Sequence, residues 1–288
     1  MNQYRPVLSN IPPVVKNLII INVMLWLATI VLIKTAGIDL VNYLGLFYPA
    51  SEHFWPFQIF THMFMHDPNN IFHILFNMFA LWMFGRVLES VWGPKRFLFF
   101  YLVCGLGAAA SQTFVNYLEI SHIQNFVDTF INVPSADRFY SFVVKHKQLM
   151  AGLGFNDGNG YHTLYDYAIN LANEWLNNPA SPDYQTTAIS ILHQFVQVII
   201  NIPTIGASGA IFGILLAFGM LFPNTQLMLI FPPIPIKAKY FVIGYGLIEL
   251  YSGLARSGSH IAHFAHLGGM LFGFIMLKYW NKTNKNFY

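Results

Sequence analysis

Charge is scarce in this sequence. Only 9% of its 288 residues are Asp, Glu, Lys or Arg, while 55% are hydrophobic and 17% aromatic; ordinary soluble domains are roughly one-quarter charged. That scarcity excludes a water-facing surface over most of the chain. Basic charge is just as thin. With a formal net charge of +3 and scattered Lys and Arg residues, the chain lacks the continuous basic face that nucleic-acid binding needs. A single cysteine, Cys104, excludes an intrachain disulfide; beside Gly105 in an apolar run, it reads as a small buried hydrophobe without chemistry. Eleven histidines are present, yet no His-Glu-x-x-His string or intramembrane carboxylate cluster accompanies them, so no metal is expected.

What the chain does have is long apolar runs of about the length that crosses a bilayer, near 18–32, 71–91, 97–117, 208–222, 240–255 and 261–279. They predict an all-α polytopic membrane protein of six spanning helices, with 1–288 as one domain. The first run follows Arg5 and Lys16 without a small-residue cleavage site, so it reads as an uncleaved helix. Lys and Arg sort by side. The N-tail, the second and fourth loops and the C-tail hold Arg5, Lys16, Arg86, Lys95, Arg96, Lys237, Lys239, Lys278, Lys282 and Lys285. The other side holds only five, which predicts cytoplasmic termini. The expected location is a bacterial inner (cell) membrane, with the lipid bilayer as the surrounding partner. Arg86 and Glu89, closing the second helix, are expected to pair.

Between helices 3 and 4 a polar insert, 118–203, interrupts the pattern. Glu119, Asp128, Asp137, Asp157, Asp166, Glu174 and Asp183 oppose only Arg138, Lys145 and Lys147, a balance that suits a large extracytoplasmic loop. Tyr161, Leu164, Tyr165, Ala168, Leu171 and Trp175 recur at helical spacing, as do Ala188, Ile191, Leu192, Phe195, Val198 and Ile199. Both stretches predict amphipathic helices. His193, Gln194 and Gln197 favour an interfacial place for the second over a seventh span. Gly152, Gly154, Gly158 and Gly160 around Asn156 and Asp157 lack the spaced carboxylates of a calcium loop and read as a flexible linker.

Polar residues inside membrane helices are costly enough to be functional candidates. In Gly206-Ala207-Ser208-Gly209-Ala210-Ile211-Phe212-Gly213, Pro203 and Gly206 break any preceding helix, so Ser208 falls at a helix mouth. There, unpaired N–H groups and the helix dipole suit an oxyanion. His263-Phe264-Ala265-His266 opens the last helix with two imidazoles. Gly209 to Gly213 and Gly269 to Gly273 are small-xxx-small steps that let two helices approach. His266 shares the Gly269 and Gly273 face, which brings a base to the serine and allows acyl transfer. His263, one turn nearer the outer water, reads as structural. In His73-Ile74-Leu75-Phe76-Asn77, i and i+4 spacing sets two hydrogen-bond donors on one face. His62 and His66, before Pro68, read as loop-stabilising residues. Glu249 in the fifth helix is a candidate third member orienting His266, its alternative being a carboxyl bonded to a neighbouring helix.

The GASG, AHLGG and HILFN segments, on these helices and with Thr61-His62-Met63-Phe64-Met65-His66, resemble the rhomboid family of intramembrane serine proteases over roughly residues 15 to 115 and 200 to 280. The resemblance implies a Ser208–His266 dyad, an oxyanion hole from His73, Asn77 and the Ser208 N–H, membrane-anchored single-pass substrates and no cofactor. It also marks departures. Many members carry Trp-Arg where Phe57-Gln58 stands, and a tyrosine stacked on the histidine where Phe212 stands, so loop anchoring is expected to differ and histidine orientation to survive. Two rival functions remain at this level: a catalytically silent relative binding transmembrane clients, and a histidine-lined metal site or transporter.

Overall fold

The computed structural model describes residues 11–156, 161–179, 181–228, 233–255 and 262–283. Its longer helices, in chain order, are α1 (Pro13–Ala36), α2 (Ile71–Trp92), α3 (Pro94–Asn132), α4 (Ala136–Lys145), α5 (Lys147–Ala151), α6 (Leu164–Asn177), α7 (Pro182–Ile200), α8 (Ser208–Leu221), α9 (Ala238–Ala255) and α10 (His263–Thr283). Two short antiparallel pairs join β1 (Gly154–Asn156) to β2 (Tyr161–Thr163) and β3 (Gln226–Met228) to β4 (Pro235–Lys237). The chain divides into two compact units: the first holds the described residues up to Phe114 and from Pro203 onward, the second Val115–Ile202.

The fold is an all-α polytopic membrane fold, and the six apolar runs fall on α1, α2, α3, α8, α9 and α10. Of these, α1, α2 and α3 are long and apolar enough to cross a membrane, and α8 is a shorter apolar helix. In the first unit, apolar side chains lie on the outside as well as the inside. Leu81, Phe97, Phe100 and Ile214 fill the core, while Met24, Val31, Phe72, Phe76, Leu247 and Leu254 are exposed. A surface of that kind is matched to lipid rather than to water.

Local chemistry sets the helix ends. Glu89 does not pair with Arg86 as expected; its Oε1 and Oε2 accept the Val14 and Val15 N–H groups at 2.9 and 2.8 Å. Those amides open α1 and have no intrahelical partner, so a carboxylate there also meets the positive end of the helix dipole. Arg86 instead lies 4.6 Å from the centroid of the Trp82 ring. Gly93, at φ +79°, turns the chain between α2 and α3, a conformation costly for a residue with a Cβ.

The first half of α3 belongs to the first unit and the rest to the second. The helix runs to Asn132, well past the expected end of its apolar run, because neither Gly nor Pro intervenes between Gly107 and Pro134. Pro134 disfavours the helical conformation for the residue before it and stops the helix there. In the second unit Ile123, Val127 and Phe130 from α3 bury against Phe139, Phe142 and Val143 of α4, Ala168 and Trp175 of α6, and Leu192 and Phe195 of α7. Each contributing helix places its apolar stripe inward. The two predicted amphipathic helices are α6 and α7, although Tyr161, expected to be helical, lies in β2. Sequence periodicity did not reveal α4. Gly154, in the glycine stretch read as a flexible linker, lies in β1 opposite Thr163; Asp157, Gly158 and Gly160 lie outside the described residues.

Candidate active site

Ser208 is the first residue of α8. Just before it Gly206 adopts φ +121°, open to glycine but strained for an L side chain. Its N–H donates to the His62 carbonyl at 3.0 Å, and Thr204 exchanges backbone hydrogen bonds with Leu46 at 2.8 and 2.9 Å. The segment entering α8 is thus tied to the 44–62 loop before the helix begins.

The two glycine steps do what their spacing predicts. A Cβ on Gly269 would collide with the Gly209 carbonyl oxygen, and one on Gly213 would sit 2.9 Å from the Gly269 carbonyl and collide with Cys104 Sγ. Backbones that close leave no room for side chains between α8 and α10. The result is a 2.8 Å contact between His266 Nε2 and Ser208 Oγ, across 58 residues of sequence. With a proton on Nδ1, the serine hydroxyl donates to the Nε2 lone pair.

Two further contacts fix the imidazole. Phe212, one turn along α8, stacks on it with centroids 4.2 Å apart and planes 5° from parallel. Its Nδ1 edge faces Glu249 Oε2 at 2.9 Å, but this contact lies off the ring's N–H direction and is not a straight hydrogen bond. The straight bond to Oε2 comes from His263 Nδ1, at 2.6 Å. Glu249, His263 and His266 are the metal-compatible cluster found among the described residues. Oxygen-to-nitrogen separations of 2.6 and 2.9 Å are shorter than the roughly 3.3 Å between two ligands of a tetrahedral zinc. They are hydrogen-bond and ion-pair lengths.

His73 and Asn77 both come from α2. A Cβ placed on Gly206 would lie 3.0 Å from His73 Nε2 and 3.5 Å from Ser208 Oγ, so the imidazole and the hydroxyl flank the same glycine. Asn77 is buried, and its Nδ2 donates to His66 Nε2 at 3.1 Å. His66, assigned above to loop stabilisation, therefore holds Asn77, and its ring also lies 5.0 Å from that of His73. It accepts through Nε2, which requires a neutral ring. Burial, and next the neighbouring His73, push its pKa down to about 3. No spacing rule links a loop residue to a helix position eleven residues later; the signal was the HMFMH string itself.

Gln58 was a second residue that the sequence left unexplained. Fully buried, its Oε1 accepts from the Phe47 and Trp55 N–H groups at 3.4 and 3.1 Å, while its Nε2 donates to the Tyr43 and His53 carbonyls at 3.1 and 2.9 Å. One amide thus satisfies four backbone groups of a loop that has little regular structure. His62 Nδ1 bonds the Gln58 carbonyl at 3.0 Å, and burial lowers its pKa. A cavity of about 10 Å³, lined by His62, Thr204, Gly206, Ser208, Gly209 and Ala265 among others, lies beside the serine. That is room for about one water molecule.

In comparison with known families, the chain matches the Rhomboid domain over residues 52–122 and 184–281. These ranges take in Ser208, His266, His73, Asn77, Glu249 and His263, and omit most of the second unit's core. Searches of the curated proteins and of the solved structures gave no match.

Proposed function

Because the chain belongs to the rhomboid family, whose members act on membrane proteins within the bilayer, we propose that it is a serine endopeptidase cleaving membrane-anchored, single-pass substrates. The observation that carries this reading is the 2.8 Å contact between Ser208 Oγ and His266 Nε2, made inside an apolar unit where an unused polar pair would be costly.

In this mechanism Ser208 Oγ attacks the scissile carbonyl carbon as His266 Nε2 takes the hydroxyl proton, and the carbonyl π pair moves onto oxygen. The resulting oxyanion is met by the Ser208 N–H, His73 and Asn77. The carboxamide carries two N–H donors, so its bond to His66 leaves one to give. Collapse of the intermediate breaks the C–N bond, and the leaving amine takes the proton from Nε2. A water then attacks the acyl-enzyme, passes a proton to Nε2 and adds its oxygen to the carbonyl carbon. The second collapse expels Ser208 Oγ, which recovers that proton. Phe212 keeps the imidazole plane fixed throughout.

In the same reading α1, α2, α3, α8, α9 and α10 make six crossings of a cell membrane, with both termini cytoplasmic and the site open to the outer side. The chain is then one catalytic membrane domain with 118–203 as its outer insert. The Lys and Arg distribution supports that orientation. A fluorophosphonate probe tests the chemistry: the purified wild type should label covalently and cut a membrane-anchored reporter. Ser208→Ala and His266→Ala should lose cleavage without loss of abundance. Undiminished cleavage by either variant would refute the dyad, and an unlabelled, inactive wild type would favour a client-binding role.

A further inference from the structure

Glu249 is a charged residue buried in an apolar helix, and two imidazoles converge on one of its oxygens. His263 Nδ1 lies 2.6 Å from Oε2 and His266 Nδ1 2.9 Å from the same atom, while the other edge of His266 reaches Ser208 at 2.8 Å. A clasp between α9 and α10 would need only the first of these contacts. The second aligns carboxylate, imidazole and hydroxyl in the order acid, base, nucleophile. The off-axis approach of His266 Nδ1 also has a meaning, since His263 holds the carboxylate at rest and leaves it beside a ring that has yet to become charged. Catalytic contacts of this kind commonly tighten only as the reaction proceeds.

We infer that Glu249 is a positioning residue that extends the Ser208–His266 pair to a triad, holding His266 with its proton on Nδ1 and stabilising the imidazolium formed when Nε2 takes the serine proton. His263 is the residue that holds Glu249. The inference rests on the proposed protease reading, and it adds a reason for the charge separation to be tolerable where water is scarce: the carboxylate is already in place when the imidazolium appears.

The test uses the full chain, purified and reconstituted, and compares kcat and KM on a membrane-anchored reporter with the rate of fluorophosphonate labelling. Glu249→Gln should lower kcat by up to about 10⁴-fold, the scale on which loss of a triad acid falls, with KM changed far less. Glu249→Asp, which keeps the charge, should lose less than Glu249→Gln. In a His266→Ala background Glu249→Gln should add no further loss to the residual rate, because a residue acting through His266 has nothing left to act on. An unchanged kcat in Glu249→Gln, or the same proportional loss with and without His266, overturns the inference and leaves a structural clasp. Should Glu249→Gln fail to fold, Glu249→Asp decides: a kcat equal to wild type overturns it. A wild type that neither labels nor cleaves overturns the protease reading with it, whereas an active wild type with an indifferent Glu249 overturns the triad alone.

Discussion

The two units of this chain bury different things. Among the described residues, the buried polar and charged side chains, Asn22, Thr29, Ser51, Gln58, His62, His66, Asn77, Glu89, Glu249 and His263, all belong to the first unit. The second unit's core is Phe, Ile, Leu, Val, Met, Ala and Trp, with its polar groups outside. In water, apolar burial drives folding and a polar core residue is a liability. In lipid the outside is already apolar, so the inside is where polar groups can find partners. The same chain therefore carries one unit with a wholly apolar core and another whose apolar core also holds the buried polar groups and their hydrogen bonds.

Substitutions in the two interiors should separate those roles. The largest effect is expected from Gly269→Val, whose Cβ meets the Gly209 carbonyl. Pushing α8 from α10 displaces His266 from Ser208, and fluorophosphonate labelling should disappear; retained labelling would mean that the close approach is dispensable. Next is Phe195→Ala in the second unit's core, which should cost about 3–5 kcal/mol of that unit's stability in melting experiments. If the two units are energetically independent, labelling of Ser208 should stay within about twofold, and a collapse of labelling would erase the distinction between the units. On the proposed mechanism, Asn77→Ala should lower kcat by about 10²–10³-fold, or roughly 2.7–4 kcal/mol, with little change in substrate affinity. An unchanged rate would return Asn77 to packing.

The smallest effect, reckoned per pH unit, is one of pH. His66 is held at about 3 when folded, against 6.5 for the free side chain. A depressed histidine contributes stability that is fully present above the unfolded value and declines as pH falls toward the folded one, at about 1.4 kcal/mol per pH unit. Between pH 6.5 and 3, His66→Gln should therefore show a shallower fall in melting temperature than the wild type. Equal slopes would show that burial of this ring is not what the acid limb reports.

Much of the first unit was legible because lipid leaves so few options. An apolar run of bilayer length must be helical, and glycine steps in two such runs mark where backbones touch. Ser208 and His266 could be paired on that basis alone, since each lies at the mouth of its helix and on its glycine face. The continuation of α3 beyond Tyr117 was hidden for the opposite reason. Glu119, His122, Gln124 and Asp128 end the hydropathy signal, while Ile120, Ile123, Val127 and Phe130 carry the helical period onward. Hydropathy reports the surrounding solvent, and the helix outlasted the change of solvent. The partnerships of His66 with Asn77, Glu89 with the start of α1, and Gln58 with four loop amides depend on tertiary geometry that has no period to read.

The lone thiol has a practical use. Cys104 is fully buried, packed where Gly213 and Gly273 leave space for its sulfur. A maleimide has no route to it in the folded protein, so a cysteine introduced on the surface, at Tyr140 for example, becomes the single reactive handle. Fluorescent or paramagnetic reporters can then be attached to the insert with the natural sequence otherwise intact.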